Sequence, residues 1–270
     1  MVSLLTLLDD IASTLDEVAI MTKTALHKTS ALMSDDLAVN AGVIDGVNPD
    51  KELPMVLKIF WGSLINKVIC IFAVLLLNWI NPFLIKIVLV IGGAYLSFEG
   101  VHKVYEKLSE ILKRSHTSKN QEKVINEDQK IRGAIKTDLI LSVEIIVIAQ
   151  NQITGSLPLQ LLTLSIVGLA ASIIIYGLVA LVVKIDDFGL YLIRKSYRKI
   201  GLIFVKSMPY IMKGLGIVGT AAMLLVGGGI FTHTFHLKFI NPEIILNLII
   251  GFGVGAILTL LYETILSFRK

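Results

Sequence analysis

Between Leu159 and Val183 the chain runs without a single charged residue. A helix rises about 1.5 Å per residue, so this run is long enough to cross the roughly 30 Å hydrocarbon core of a bilayer. In water such a helix would need burial on every side. In lipid it needs only its own backbone hydrogen bonds. Comparable runs lie at 57–79, 82–103, 136–153, 207–231 and 243–266, with the uncharged one extending over 158–183. The run at 136–153 is the weakest, because Glu144 interrupts it and Gln150-Asn151-Gln152 ends it early. Composition agrees. Apolar residues make up 54% and charged residues only 17% of the chain, whereas soluble domains carry about 25% charged residues. The expected fold is all-α, a polytopic membrane helix bundle of about six transmembrane helices over 54–270. An N-terminal amphipathic helical segment over 1–53 precedes it.

The basic residues supply an independent reading, because cytoplasmic loops collect Lys and Arg. Lys23, Lys28, Lys51 and Lys58 precede or open the first span. The 103–136 linker holds nine basic residues, the 184–206 linker six, and Arg269-Lys270 end the chain. The four exceptions are Lys67, Lys86, Lys213 and Lys238, and the alternate connections are otherwise bare. With six spans, this pattern predicts that both termini and both linkers face the cytoplasm. The net charge of +4 is too small and too diluted to indicate nucleic acid.

At the N-terminus, Leu4, Leu8, Ile11, Leu15, Val18, Thr22 and Ala25 recur at three- and four-residue steps, one stripe of an amphipathic helix. Asp9, Asp10, Asp16, Glu17 and Lys23 occupy the other side, the pattern of a solvated face, and only secondarily that of a divalent-cation site. With no basic leader and Asp9-Asp10 in the apolar stretch, no signal peptide is expected. Ser34-Asp35-Asp36 reads as the cap of a short second helix. Asp45-Gly46 and Asn48-Pro49 read as a turn, and Pro54 as the first turn of span one.

Several segments carry a family resemblance: Leu7-Leu8-Asp9-Asp10-Ile11-Ala12, Ser34 to Ala41, Lys51-Glu52-Leu53-Pro54, Gly92-Gly93-Ala94-Tyr95-Leu96 with Phe98-Glu99-Gly100, Gly133 to Asp138, Lys184-Ile185-Asp186-Asp187, Gly219 to Met223, and Gly227 to Ile230. They resemble the YedI family of bacterial inner-membrane proteins, a family of unknown function. The similarity runs to about residue 235, and the 113–130 linker and the last span diverge from it. It implies location in a bacterial inner membrane. It supplies no catalytic, ligand or cofactor residues.

Gly214-Leu215-Gly216-Ile217-Val218-Gly219 matches a dinucleotide fingerprint, but inside an apolar span it lacks the strand and turn that give the pattern meaning. Glycines there, and Gly251 and Gly255, let helices approach closely. Gly227-Gly228-Gly229 is a point where a helix would loosen. Cys70, the only cysteine, excludes an internal disulfide and reads as a small buried hydrophobe. His233 and His236 at i, i+3 use a metal-site spacing, yet only Glu243 stands near as a third ligand, so an interfacial role leads and no metal is assigned. No Ser–His–Asp arrangement or phosphate loop stands out, so no enzymatic activity and no cofactor are expected.

Charge within a span is costly, about 2.5–3.5 kcal/mol at the bilayer centre on insertion scales, and such residues are commonly functional. Lys67 lies mid-span with Ser63, Asn66 and Cys70 on its face. Glu144 is roughly 12 Å from the cytoplasmic end of span three and is the expected partner of Lys67. Glu99, His102, Asp138, Asp186, Asp187 and Lys213 fall toward the cytoplasmic ends of their spans, and Lys86 toward the other end. Two readings stand side by side. One is a polar vestibule open to the cytoplasm, with Lys67 and Glu144 at its floor and Asn66, Glu99, Asp138, Asp186, Asp187 and Lys213 around it. The other is a static set of ion pairs that hold the helices together. The expected function is transport of an ion or small solute. The alternative is a non-transporting scaffold whose basic linkers bind anionic membrane lipid or a protein partner.

Overall fold

The computed structural model describes residues 4–44, 47–114, 127–237 and 242–268, and everything said of the structure concerns these. They form α1 (Leu4–Ile44), α2 (Pro49–Ile80), α3 (Pro82–Arg114), α4 (Glu127–Gln150), α5 (Leu157–Val183), α6 (Ile185–Arg194), α7 (Arg198–Thr234) and α8 (Glu243–Phe268). α2, α4 and α5 pack as one group and α3, α7 and α8 as another. α1 lies between the groups, against α4 and α5 on one side and α7 on the other.

Five helices are long and apolar enough to cross a membrane: α2, α3, α5, α7 and α8. Their outer faces are apolar, with Trp61, Ile65, Phe72, Leu76, Leu260 and Ile265 exposed. The buried set includes Ser63, Asn66, Lys67, Ser97, Asp138, Ser142 and Thr163. Apolar groups outside and polar groups inside suit a bundle whose solvent is lipid.

The sixth expected span, 136–153, falls in α4, which is not among the five apolar helices. α4 nonetheless runs the length of the bundle, from Ile131 and Ala134 beside the start of α2 to Ile146 and Ala149 beside its end. Neighbouring helices cover its polar residues, so it does not need an apolar surface.

α1 departs most from the sequence reading. Its polar segment 34–36 caps nothing: Ser34 Oγ donates back to the Ser30 carbonyl at 3.1 Å, and the helix continues to Ile44. Nor is this part a surface helix. Ala25, with Met21 beside it, packs into the cluster holding Leu75, Ile85 and Ile153. Ile44 and Val47 pack at the opposite end with Met55, Val56, Ile131 and Val183. α1 therefore threads the whole bundle. Its first turns lie at the end of the α2–α3 connection, opposite the 103–136 and 184–206 linkers. The sequence reading put the N-terminus on the same side as those linkers, and this path separates them.

Other expectations are also revised. α2 begins at Pro49, so Pro54 lies inside the helix and not in its first turn. α7 continues through Gly227-Gly228-Gly229 without a break, because those glycines are contact points and not hinges. A Cβ on Gly228 would run into the Asn247 carbonyl oxygen, and one on Gly251 into the Leu224 carbonyl oxygen. The 184–206 linker is itself structured as α6 and the start of α7. Of the 103–136 linker, residues 115–126 lie outside the described residues.

Candidate functional site

Four helices bring polar side chains to one place near the middle of the bundle. α2 supplies Ser63, Asn66 and Lys67, which its 3.6-residue repeat sets on one face. α4 supplies Asp138 and Ser142, one turn apart, α5 supplies Tyr176, and α1 supplies Asp36 and Asn40, also one turn apart. All are buried, with Lys67 1% and Asp36 and Asp138 0% exposed.

Lys67 Nζ has three protons and three acceptors: Ser63 Oγ at 2.8 Å, Ser142 Oγ at 3.1 Å and Asp138 Oδ1 at 3.5 Å. Both serines pass the interaction on. Ser63 Oγ donates to Asp138 Oδ1 at 2.8 Å and Ser142 Oγ to Asp138 Oδ2 at 3.3 Å. Asn66 Nδ2 donates to Asp138 Oδ2 at 3.0 Å and to the Ile135 carbonyl at 2.7 Å. Tyr176 OH faces Asp138 Oδ1 at 3.0 Å and Asn40 Oδ1 at 3.3 Å. Asp138 thus faces five donors, enough to fill the roughly four acceptor sites of a carboxylate.

Asp36 is placed differently. Asn40 Nδ2 donates to its Oδ1, and its Oδ2 is buried with no hydrogen-bond partner. Two carboxylates and one ammonium group share this interior.

The ion pair expected at Lys67 therefore exists with a different partner. Asp138 takes the place assigned to Glu144. Glu144 lies six residues on, about 120° around α4 from Asp138, where Asp35 of α1 is its charged neighbour and its Oε2 has no hydrogen-bond partner. Asn66 belongs to the network as expected. Ser142, Tyr176, Asn40 and Asp36 were not foreseen. Their signals were local: Asp138 to Ser142 and Asp36 to Asn40 each step by four, and Tyr176 is a tyrosine in an otherwise apolar run.

Glu99 lies in a separate place, a cavity of about 260 Å³ between α1, α3, α4 and α7 that Lys103, Lys130, Thr137 and Gly219 also line. Lys103 Nζ pairs with Glu99 Oε1 at 2.9 Å, and Thr137 Oγ1 donates to Glu99 Oε2 at 3.0 Å. Lys103 and Lys130 place this cavity at the basic end of the bundle. Thr137 precedes Asp138 in sequence but points about 100° away around α4, toward Glu99. His102 stacks on Phe98 instead of joining it. Lys213 is exposed, and Asp187 is exposed and paired with Lys184, so neither lines the cavity. The Asp186 side chain lies outside those described. Lys86 is exposed near the other end of α3, as the sequence suggested.

His233, His236 and Glu243 line one cavity of about 200 Å³, where Thr232 Oγ1 donates to Asn247 Oδ1 at 2.7 Å. Among the described residues no three His, Cys, Asp or Glu side chains are grouped to hold a metal ion. Asp9, Asp10, Asp16 and Glu17 are exposed along the first turns of α1.

A family model described as a protein of unknown function, DUF808, matches residues 2–266. No curated protein and no solved structure matches the chain.

Proposed function

We propose that this chain, which belongs to the DUF808 family of unknown function, carries an ion or a small solute across a bacterial inner membrane. One observation supports this reading above all. A charged network of two carboxylates and one ammonium group is enclosed in a bundle whose outer faces are apolar. Burying such charge is costly, and a helix bundle held only by packing has no need of it. On this reading the cavity with Glu99, Lys103 and Thr137 is the vestibule, and the buried network of Lys67, Asp138 and Asn66 is a separate site that a carried ion must reach through it.

Transport is tested in proteoliposomes loaded with a pH-sensitive dye, with a potassium-diffusion potential as the driving force and Na⁺, K⁺ and choline salts outside. Ion flux or ion-dependent proton movement by the wild type, lost in Asp138→Asn, is the expected outcome. Equal traces from wild type, variant and empty liposomes would remove the reading.

The scaffold alternative has its own observation in α6 and the start of α7. Phe188, Tyr191 and Tyr197 are exposed there beside Arg194, Lys195, Arg198 and Lys199. Aromatic and basic side chains together suit the headgroup layer of an anionic membrane.

For orientation, we take the basic linkers and the end of α8 as cytoplasmic. The path of α1 then sets its first turns on the other side. A single cysteine at Thr14, in a Cys70→Ser background, is expected to react with a membrane-impermeant maleimide in spheroplasts. One at Lys199 is expected to react only after permeabilisation. Protection of both until permeabilisation would return the N-terminus to the cytoplasm.

A further inference from the structure

The buried network does not balance its own charge. Lys67 is fully engaged by Ser63, Ser142 and Asp138. Asp138 is in turn saturated by Ser63, Asn66, Ser142, Tyr176 and Lys67. The remaining carboxylate, Asp36, is 0% exposed, receives only the Asn40 side-chain amide, and keeps Oδ2 without any partner. A buried carboxylate oxygen left without a partner is costly, and binding a positive charge relieves it.

We propose that Asp36 is the binding site of one exchangeable monovalent cation, a proton or an alkali-metal ion. The reading deepens the proposed transport function by naming the chemical class of the coupling ion. Its neighbours fit that class. From α4 it faces Asp138, from α2 Lys67, from α5 Tyr176, and along its own helix Asp35. On the α7 side the same stretch of α1 meets Gly216 and Gly219, which approach Gly42 and Ala38. The one cation in this set is Lys67, which Asp138 already holds. A divalent ion would need several anionic ligands, and the described residues group no three His, Cys, Asp or Glu for one. Ser172 Oγ, like Glu144 Oε2 buried without a partner, lies one turn before Tyr176 on α5, which packs against α1.

The site is tested by binding, independently of flux. The purified full chain in detergent is unfolded thermally in NaCl, LiCl, KCl and choline chloride at constant ionic strength and mildly alkaline pH. A second series runs from alkaline to mildly acidic pH in choline chloride, with Glu144→Gln in every protein compared, because Glu144 is also a buried carboxylate with an unpartnered oxygen. The wild type is expected to gain thermal stability, saturably, with acid or with one of the alkali-metal ions. Acid alone identifies a proton, and a response to Na⁺, Li⁺ or K⁺ over choline identifies a metal ion. Asp36→Asn is expected to abolish the response and to unfold no lower than the cation-loaded wild type. A response that survives in Asp36→Asn, or no response in the wild type, overturns the proposal. Should Asp36→Asn fail to fold, Asp36→Glu keeps the carboxylate and moves it by one methylene. A shifted midpoint supports the site, and an unchanged midpoint overturns it. Cation binding without any flux in proteoliposomes would retain this site and remove the transporter reading.

Discussion

Lys67→Met is expected to destabilise the protein by about 3–5 kcal/mol, the range seen when one partner of a buried ion pair is removed. Asp138→Asn is expected to cost only about 1–3 kcal/mol, the range for unsatisfied buried hydrogen-bonding groups. The order is not obvious from contacts, because Asp138 makes more hydrogen bonds than Lys67. Charge decides it. Removing the ammonium group takes from Asp138 its only cationic partner and, whenever Asp36 is not loaded with its exchangeable cation, leaves two carboxylates together in a buried interior. Neutralising Asp138 instead leaves Lys67 opposite Asp36. The same reasoning predicts that adding Asp36→Asn to Lys67→Met recovers part of the loss. Thermal unfolding in detergent gives the ranking. If Asp138→Asn proves the worse of the two, hydrogen bonding and not charge governs the network.

The second large effect lies at the crossing of α7 and α8. Gly251→Val is expected to prevent these helices from closing and to yield a protein that elutes as aggregate. Overpacking a core usually costs about 1–3 kcal/mol because side chains can yield. Here a Cβ on Gly251 meets the Leu224 carbonyl group, and one on Gly228 the Asn247 carbonyl. Backbone cannot rotate aside as a side chain does. Even Gly251→Ala is therefore expected to lower the unfolding temperature clearly, whereas Gly253→Ala, with nothing within 4 Å of its Cβ, is expected to be silent. Size-exclusion profiles and thermal unfolding of the three variants decide the matter. A monodisperse Gly251→Val would show that the two helices have room to separate.

The apolar helices were legible because lipid imposes one rule on their whole length. The run from Leu159 to Val183 could be little else, and α2, α3, α7 and α8 followed from the same test. That rule fails where protein replaces lipid around a helix. α4 is recognisable only through the helices that cover it, and α1, with Asp35, Asp36 and Asn40 in its second half, carries the composition of a surface helix. The site was half legible. The face holding Ser63, Asn66 and Lys67 follows from the helical repeat alone. The partner of Lys67 does not, since Asp138 and Glu144 lie on one helix six residues apart, and which faces α2 depends on how α4 is rotated in the bundle. Asp36 was misread because an acidic residue after serine is also a good helix cap, and only packing against α4, α5 and α7 distinguishes the two uses.

The path of α1 has a consequence for how the protein is made. α1 is synthesised before the helices that enclose it, yet it is too polar to enter lipid by itself. The helices that enclose it, α4, α5 and α7, begin at Glu127, Leu157 and Arg198, so they are synthesised long afterwards. The apolar helices must therefore be threaded into the bilayer before α1 has a groove to occupy. A helix made before its enclosing neighbours is then seated after them, and Asp36 enters the bundle only when Lys67, Asp138 and Tyr176 are in place to receive it.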